Sequence, residues 1–91
     1  MKILDYCDAL NIELDLKYYP NQNGRWMAKF ANCETKKDSA DGCLASTHGN
    51  GSSPQEAMAD YLSRIRGKIL VFDSSGKNRK EFIAPNSLSL E

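Results

Sequence analysis

The chain has 91 residues, enough for one domain built on one core. A hydrophobic content of 41% beside 26% charged residues is that of an ordinary globular protein and argues against a disordered chain. Lys+Arg and Asp+Glu balance at 12 each, so no general electrostatic pull draws the chain to a polyanion, although a local basic patch is still allowed.

The chain opens with "ILDYCDALN", which puts Ile3, Leu4, Cys7 and Leu10 on one helical face and Asp5 and Asp8 on the other. This predicts a short helix ended by Asn11 as a cap residue. "NIELDLKYY" then alternates, with Ile12, Leu14, Leu16 and Tyr18 on one face and Glu13, Asp15, Lys17 and Tyr19 on the other. After the turn residues "PNQNG", "RWMAKFANCETKK" alternates again, with Trp26, Ala28 and Phe30 inward. The two runs predict a β-hairpin.

"KKDSADG" breaks the pattern, and "CLASTH" (43–48) is expected to form a third, shorter strand. "HGNGSSPQEA" then raises a choice between a phosphate cradle and a helix start. A P-loop requires a lysine after its second glycine, but Ser52, Ser53 and Pro54 follow Gly51. A dinucleotide fingerprint requires a third glycine and a parallel βαβ unit. The helix-start reading accounts for each residue. Ser53 is the N-cap, Pro54 fits the first turn, and Glu56 completes a capping box. Gly49 and Gly51 are read as positions with backbone angles closed to other residues.

The helix that follows stripes Ala57, Met58, Tyr61, Leu62 and Ile65, pairs Asp60 with Arg64, and ends at Gly67. "ILVF" (69–72) reads as a buried strand, and "RKEFIAP" as a last edge strand stopped by Pro85. The reading is an α+β domain over 1–85, in the order α-β-β-β-α-β with or without a final strand. Its antiparallel sheet is covered by helices on one face, and 86–91 form a flexible tail.

Three cysteines, Cys7, Cys33 and Cys43, form no C-x-x-C pair, and their odd number suits a reducing compartment. Cys33, Cys43 and His48 lack the fourth ligand and the spacing of a zinc site, so no metal or other cofactor is expected. His48 and Cys43 fall on opposite strand faces by parity, and no nucleophile–base pair or carboxylate pair stands out. An enzyme is not expected. No secretory leader and no apolar run near the ~20 residues of a membrane span appear, which predicts a cytoplasmic protein without a membrane partner.

Two sets of residues remain as binding candidates. Lys17, Tyr19, Arg25, Met27 and Lys29 point outward from the hairpin, and Tyr, Met and Arg are residue types enriched in interface cores. They predict binding of a protein partner or self-association into a homo-oligomer. The alternative is a nucleic-acid patch of Lys36, Lys37, Lys77, Arg79 and Lys80, with acids Asp38, Asp41 and Glu81 beside it.

The layout with "GNGSSPQEA" before the second helix resembles the double-stranded-RNA-binding domain. Ser53 and Ala57 fit that family's motif, while its phosphate-gripping lysine pair falls on Pro54 and Gln55. The chain more closely resembles HicB-like proteins over about residues 12–72. "NQNGRWMAKF" matches their turn into the second strand, and Gly51, Ser53, Glu56 and Ala57 match their helix-opening motif. The family's proline-rich link is replaced by "ANCETKKDSADGC", and the residues after the helix are too few for the DNA-binding segment many HicB antitoxins carry. Taken together, the chain is similar to small accessory proteins of phages and prophages. The resemblance implies a HicB-like interaction module without a DNA-binding segment, the alternative being a weak RNA- or DNA-binding protein of double-stranded-RNA-binding-domain-like fold.

Overall fold

The computed structural model describes residues 1–22, 25–38, 40 and 42–91. The first helix, α1, spans Ile3–Leu10 and stops where Asn11 takes a left-handed conformation (φ 54°) and donates its N–H to the Cys7 carbonyl. Its buried stripe is Ile3, Tyr6 and Cys7. Tyr6 takes the inward place expected of Leu4, which is 61% exposed, because positions i, i+3 and i+4 share a helix face.

Strands β1 (Leu14–Tyr19) and β2 (Arg25–Phe30) form the expected hairpin, with Leu14 opposite Phe30 and Tyr19 opposite Arg25. A short 3-10 turn, Pro20–Gln22, leaves β1, and the rest of the expected turn, Asn23 and Gly24, lies outside the described residues. The run after β2 does not continue as one strand. Asn32 adopts φ 52°, and the chain re-enters extended structure as β3 (Cys33–Lys36) in a different sheet.

The expected strand at 43–48 is a correction. Only Ala45 is paired there, in an isolated bridge that exchanges both backbone hydrogen bonds with Thr35. The third strand of the first sheet is instead β4, Gly49–Gly51, which pairs with β2 through Ala28–Gly49 and Trp26–Gly51.

Helix α2 (Pro54–Ile65) begins as read. Ser53 caps it by accepting the Glu56 N–H at 3.1 Å, with Pro54 in the first turn. The Glu56 carboxylate reaches back one residue further than a capping box requires, accepting from the N–H and hydroxyl of Ser52. Gly49 and Gly51 are needed for a reason other than the expected one. Neither has a positive φ, but a Cβ on Gly49 would strike the Ala57 carbonyl and the Tyr61 backbone, and one on Gly51 would strike the backbone and Cβ of Glu56. The two glycines let α2 lie directly on β4.

Gly67 (φ 76°) turns the chain out of α2 into β5 (Ile69–Phe72). This strand is central in the second sheet, between β3 and β6 (Lys80–Ile83), and both pairings are antiparallel. The α+β class therefore holds, with two helices and six strands among the described residues. The strands divide into two three-stranded sheets, β1-β2-β4 and β3-β5-β6.

Phe30 ties the layers together. Its ring lies 5.3 Å from Tyr61 of α2, 6.1 Å from Tyr6 of α1 and 6.3 Å from Phe72 of the second sheet. Residues 86–91, expected as a flexible tail, lie against the N-terminus. Leu88 is buried, Ser89 bridges to Lys2, and the Arg66 side chain donates to the Leu88 carbonyl at 2.8 Å. Apolar Leu88 and Leu90 find room on the core, and this outweighs fraying. No helix among the described residues is long and apolar enough to cross a membrane.

Candidate interaction face

The register of the hairpin decides which side chains share a face. Leu14–Phe30, Leu16–Ala28 and Tyr18–Trp26 form the inner set, and Ala28 and Phe30 are fully buried beneath α2. The alternate pairs, Asp15–Lys29, Lys17–Met27 and Tyr19–Arg25, then point to the opposite side, where Asn50 of β4 sits opposite Met27. All five predicted partner-binding residues are thus gathered on one face. Lys17, Tyr19 and Arg25 are exposed, while Met27 and Lys29 are half-buried between strands. At its β4 end, Arg25, Asn50, Gly51 and Ser52 line a cleft of about 310 Å³.

The inner face holds a second exposed surface that the alternation did not reveal. Leu16 is 39% exposed and Tyr18 52%, although the expected alternation puts both on the face opposite the outward Lys17 and Tyr19. The Tyr18 ring lies against Trp26, at a ring separation of 5.3 Å. Strands lie about 4.8 Å apart and a helix is about 10 Å across, so one helix covers about two strands. α2 packs on β4 and β2, and β1 is left bare. The presence of a single long amphipathic helix was the available sign.

The five residues of the nucleic-acid alternative are placed differently. The Lys36 ammonium lies 2.9 Å from Glu81, with its side chain only 9% exposed, and Arg79 reaches the other oxygen of the same carboxylate at 3.0 Å. These hydrogen bonds, first from Lys36 and then from Arg79, hold the Glu81 carboxyl below its usual range. Lys80 pairs with Phe72, on the opposite face of the second sheet from Lys36 and Glu81. Lys37 and Lys77 are exposed in the segments beyond β3 and before β6. The set therefore does not form one positive face, and two of its cations share one carboxylate.

Cys7 and Cys33 are buried, and burial raises both thiols, Cys33 to about 11. Cys43 and His48 are exposed in the segment before β4. Among the described residues no three His, Cys, Asp or Glu side chains come together as a metal site would require. A further cleft of about 340 Å³ lies between the end of α1 and the second sheet, floored by Leu10, Ile12, Phe72 and Phe82 and rimmed by Asn78 and Lys80.

Compared with known proteins, the chain matches no protein-family model, no curated protein and no solved structure.

Proposed function

We propose that this chain is a non-catalytic interaction module that binds a protein partner, or a second copy of itself, through the first sheet. The observation that carries this reading is the convergence of Lys17, Tyr19, Arg25, Met27 and Lys29 on the sheet face opposite α2, which among the described residues no helix covers. An aromatic, a thioether and a guanidinium on a rigid strand pair provide contact area at low entropic cost, and the flanking lysines provide a polar rim. With the HicB-like resemblance, the reading is of a cytoplasmic accessory protein of phage or prophage type, HicB-like without a DNA-binding segment.

Its test is a double variant, Tyr19→Ser with Met27→Glu, compared with the parent chain by sedimentation and by quantitative capture of binding proteins. Both side chains lie on the uncovered face, so the fold is expected to survive. Loss of association in the variant supports the reading, and unchanged association overturns it. Nucleic-acid binding is the alternative. Titration with a short RNA duplex at low salt would replace the first reading if signals near Lys36, Lys37 and Arg79 shift and the shifts fade as salt is added. The shared Glu81 carboxylate argues against that result.

A further inference from the structure

The first sheet ends at β1, and that edge is bare. The strand order β1-β2-β4 leaves β1 paired on one side only, and from Leu16 to Tyr19 every residue is exposed. Natural edge strands are blunted by proline, bulges, inward charges or a covering segment. β1 has no proline, bulge or inward charge within Leu14–Tyr19; its charges, Asp15 and Lys17, both point outward, and Pro20 stands only beyond its end. Other edges among the described residues are shorter or covered. Ala45 pairs along β3, β6 is only four residues long, and β4 is a three-residue Gly-Asn-Gly under α2.

The register shows which backbone groups this edge offers. The Ala31 N–H donates to the Glu13 carbonyl at 2.9 Å, so the odd-numbered positions of β1 turn their backbone groups toward β2. The Phe30 N–H donates to the Tyr61 hydroxyl and not to Leu14, which agrees with that parity. Leu14, Leu16 and Tyr18 therefore hold their N–H and C=O groups out along the free edge.

We propose that β1 pairs antiparallel with β1 of a second copy about a twofold axis through Leu16, fusing two three-stranded sheets into one. This rests on the interaction-module reading and names one partner for it. Only registers that oppose even-numbered positions satisfy the backbone. With the axis at Leu16, Leu14 meets Tyr18 of the second copy, and Asp15 meets Lys17 of the second copy on both sides of the axis. The neighbouring registers centre on Lys17, which sets Lys17 against Lys17, or on Asp15, which sets Asp15 against Asp15 although Glu13, just before β1, then meets Lys17. Opposite charges across a strand pair stabilise it and like charges destabilise it, so of the three only the Leu16 register pairs opposite charges with no like-charge contact.

The Asp15–Lys17 contacts fall at non-hydrogen-bonded positions, where side chains approach most closely. On the inner side the exposed Leu16 meets Leu16 of the second copy, and the exposed Tyr18 meets its half-buried Leu14. The two outer faces join into one surface.

Amide exchange on the full chain, read residue by residue at low and high protein concentration, tests the pairing. The expected result is protection that rises with concentration at Leu14, Leu16 and Tyr18 while Asp15, Lys17 and Tyr19 stay constant, with mass doubling in sedimentation. Lys17→Asp is expected to weaken the dimer about tenfold, and Asp15→Lys with Lys17→Asp to restore it in the reversed sense. Leu16→Pro removes an edge donor that β2 does not use and abolishes pairing. If Leu16→Pro fails to fold, the charge variants decide the question alone.

A chain that stays monomeric at every concentration, or a dimer indifferent to the charge swap, overturns the edge pairing. If association is then lost in Tyr19→Ser with Met27→Glu, the outer-face reading stands without it. If no variant changes any association, both fall.

Discussion

Replacing Tyr61 with Phe deletes one oxygen that closes a gap between strands. β2 loses its neighbour after the Ala28–Gly49 pair, yet the Phe30 N–H still points to that side of the strand. The Tyr61 hydroxyl accepts that N–H at 3.1 Å and also interacts with the Cys33 thiol, at the point where the chain leaves the first sheet for the second. Phe30 and Tyr61 are both fully buried, so in Tyr61→Phe no water can reach the abandoned amide. An unsatisfied buried donor costs about 1–3 kcal/mol, a large share of the ~5–15 kcal/mol that holds a domain together.

Tyr6 provides the control within the same core. Its hydroxyl is buried with no hydrogen-bond partner, so Tyr6→Phe removes a polar group that was never satisfied. Stability is expected to hold, or to rise by up to about 1 kcal/mol. Urea unfolding followed by Trp26 fluorescence and far-ultraviolet dichroism measures both variants. A slope of about 1–2 kcal/mol per molar urea turns the Tyr61→Phe loss of about 1–3 kcal/mol into a midpoint drop of about 0.5–3 M, without a change in slope. Equal losses in the two variants, or a neutral Tyr61→Phe, would refute the account of how β2 is terminated.

Gly49→Ala is expected to destabilise by the upper part of the ~1–3 kcal/mol range for overpacking, because the added methyl meets backbone atoms of α2 that cannot rotate away; the urea midpoint reports it. The carboxyls of Glu56, Asp60 and Glu81 are held below their ordinary values, chiefly by Ser52, by the Asn50 N–H and by Lys36. Their contribution is therefore complete above the ordinary Glu value of 4.5 and is lost as pH falls through the lower folded values. The urea midpoint should stay level from neutrality to about pH 5 and fall below that, less steeply in Glu81→Gln. Alkylation of the native chain at mildly alkaline pH, read by intact mass, should modify exposed Cys43 first, with Cys7 and Cys33 reacting only on unfolding because burial keeps their thiols protonated.

Local rules carried much of the fold. The alternation from Ile12 to Tyr19 and from Arg25 to Phe30 gave the hairpin and its two faces, because in a strand parity alone assigns each side chain. Ser53, Pro54 and Glu56 marked the start of α2, and Gly67 its end, because capping satisfies backbone groups within one turn. The outer-face residues could be read for the same reason.

What only the tertiary structure decided were relations between distant segments. Asn32 breaks an alternation that the sequence continues to Lys36, since membership in one sheet or the other depends on β5 as the partner waiting for β3. Gly49 and Gly51 looked like turn residues and proved to be clearance for a helix that arrives later in the chain. Leu16 and Tyr18 have the pattern of buried residues, but burial requires a covering layer, and α2 is wide enough for only two of the three strands. Leu88 found its place only because the N-terminal segment lies beside it. Period and capping act within a few residues and are written in the sequence, whereas coverage and close approach are set by which elements meet.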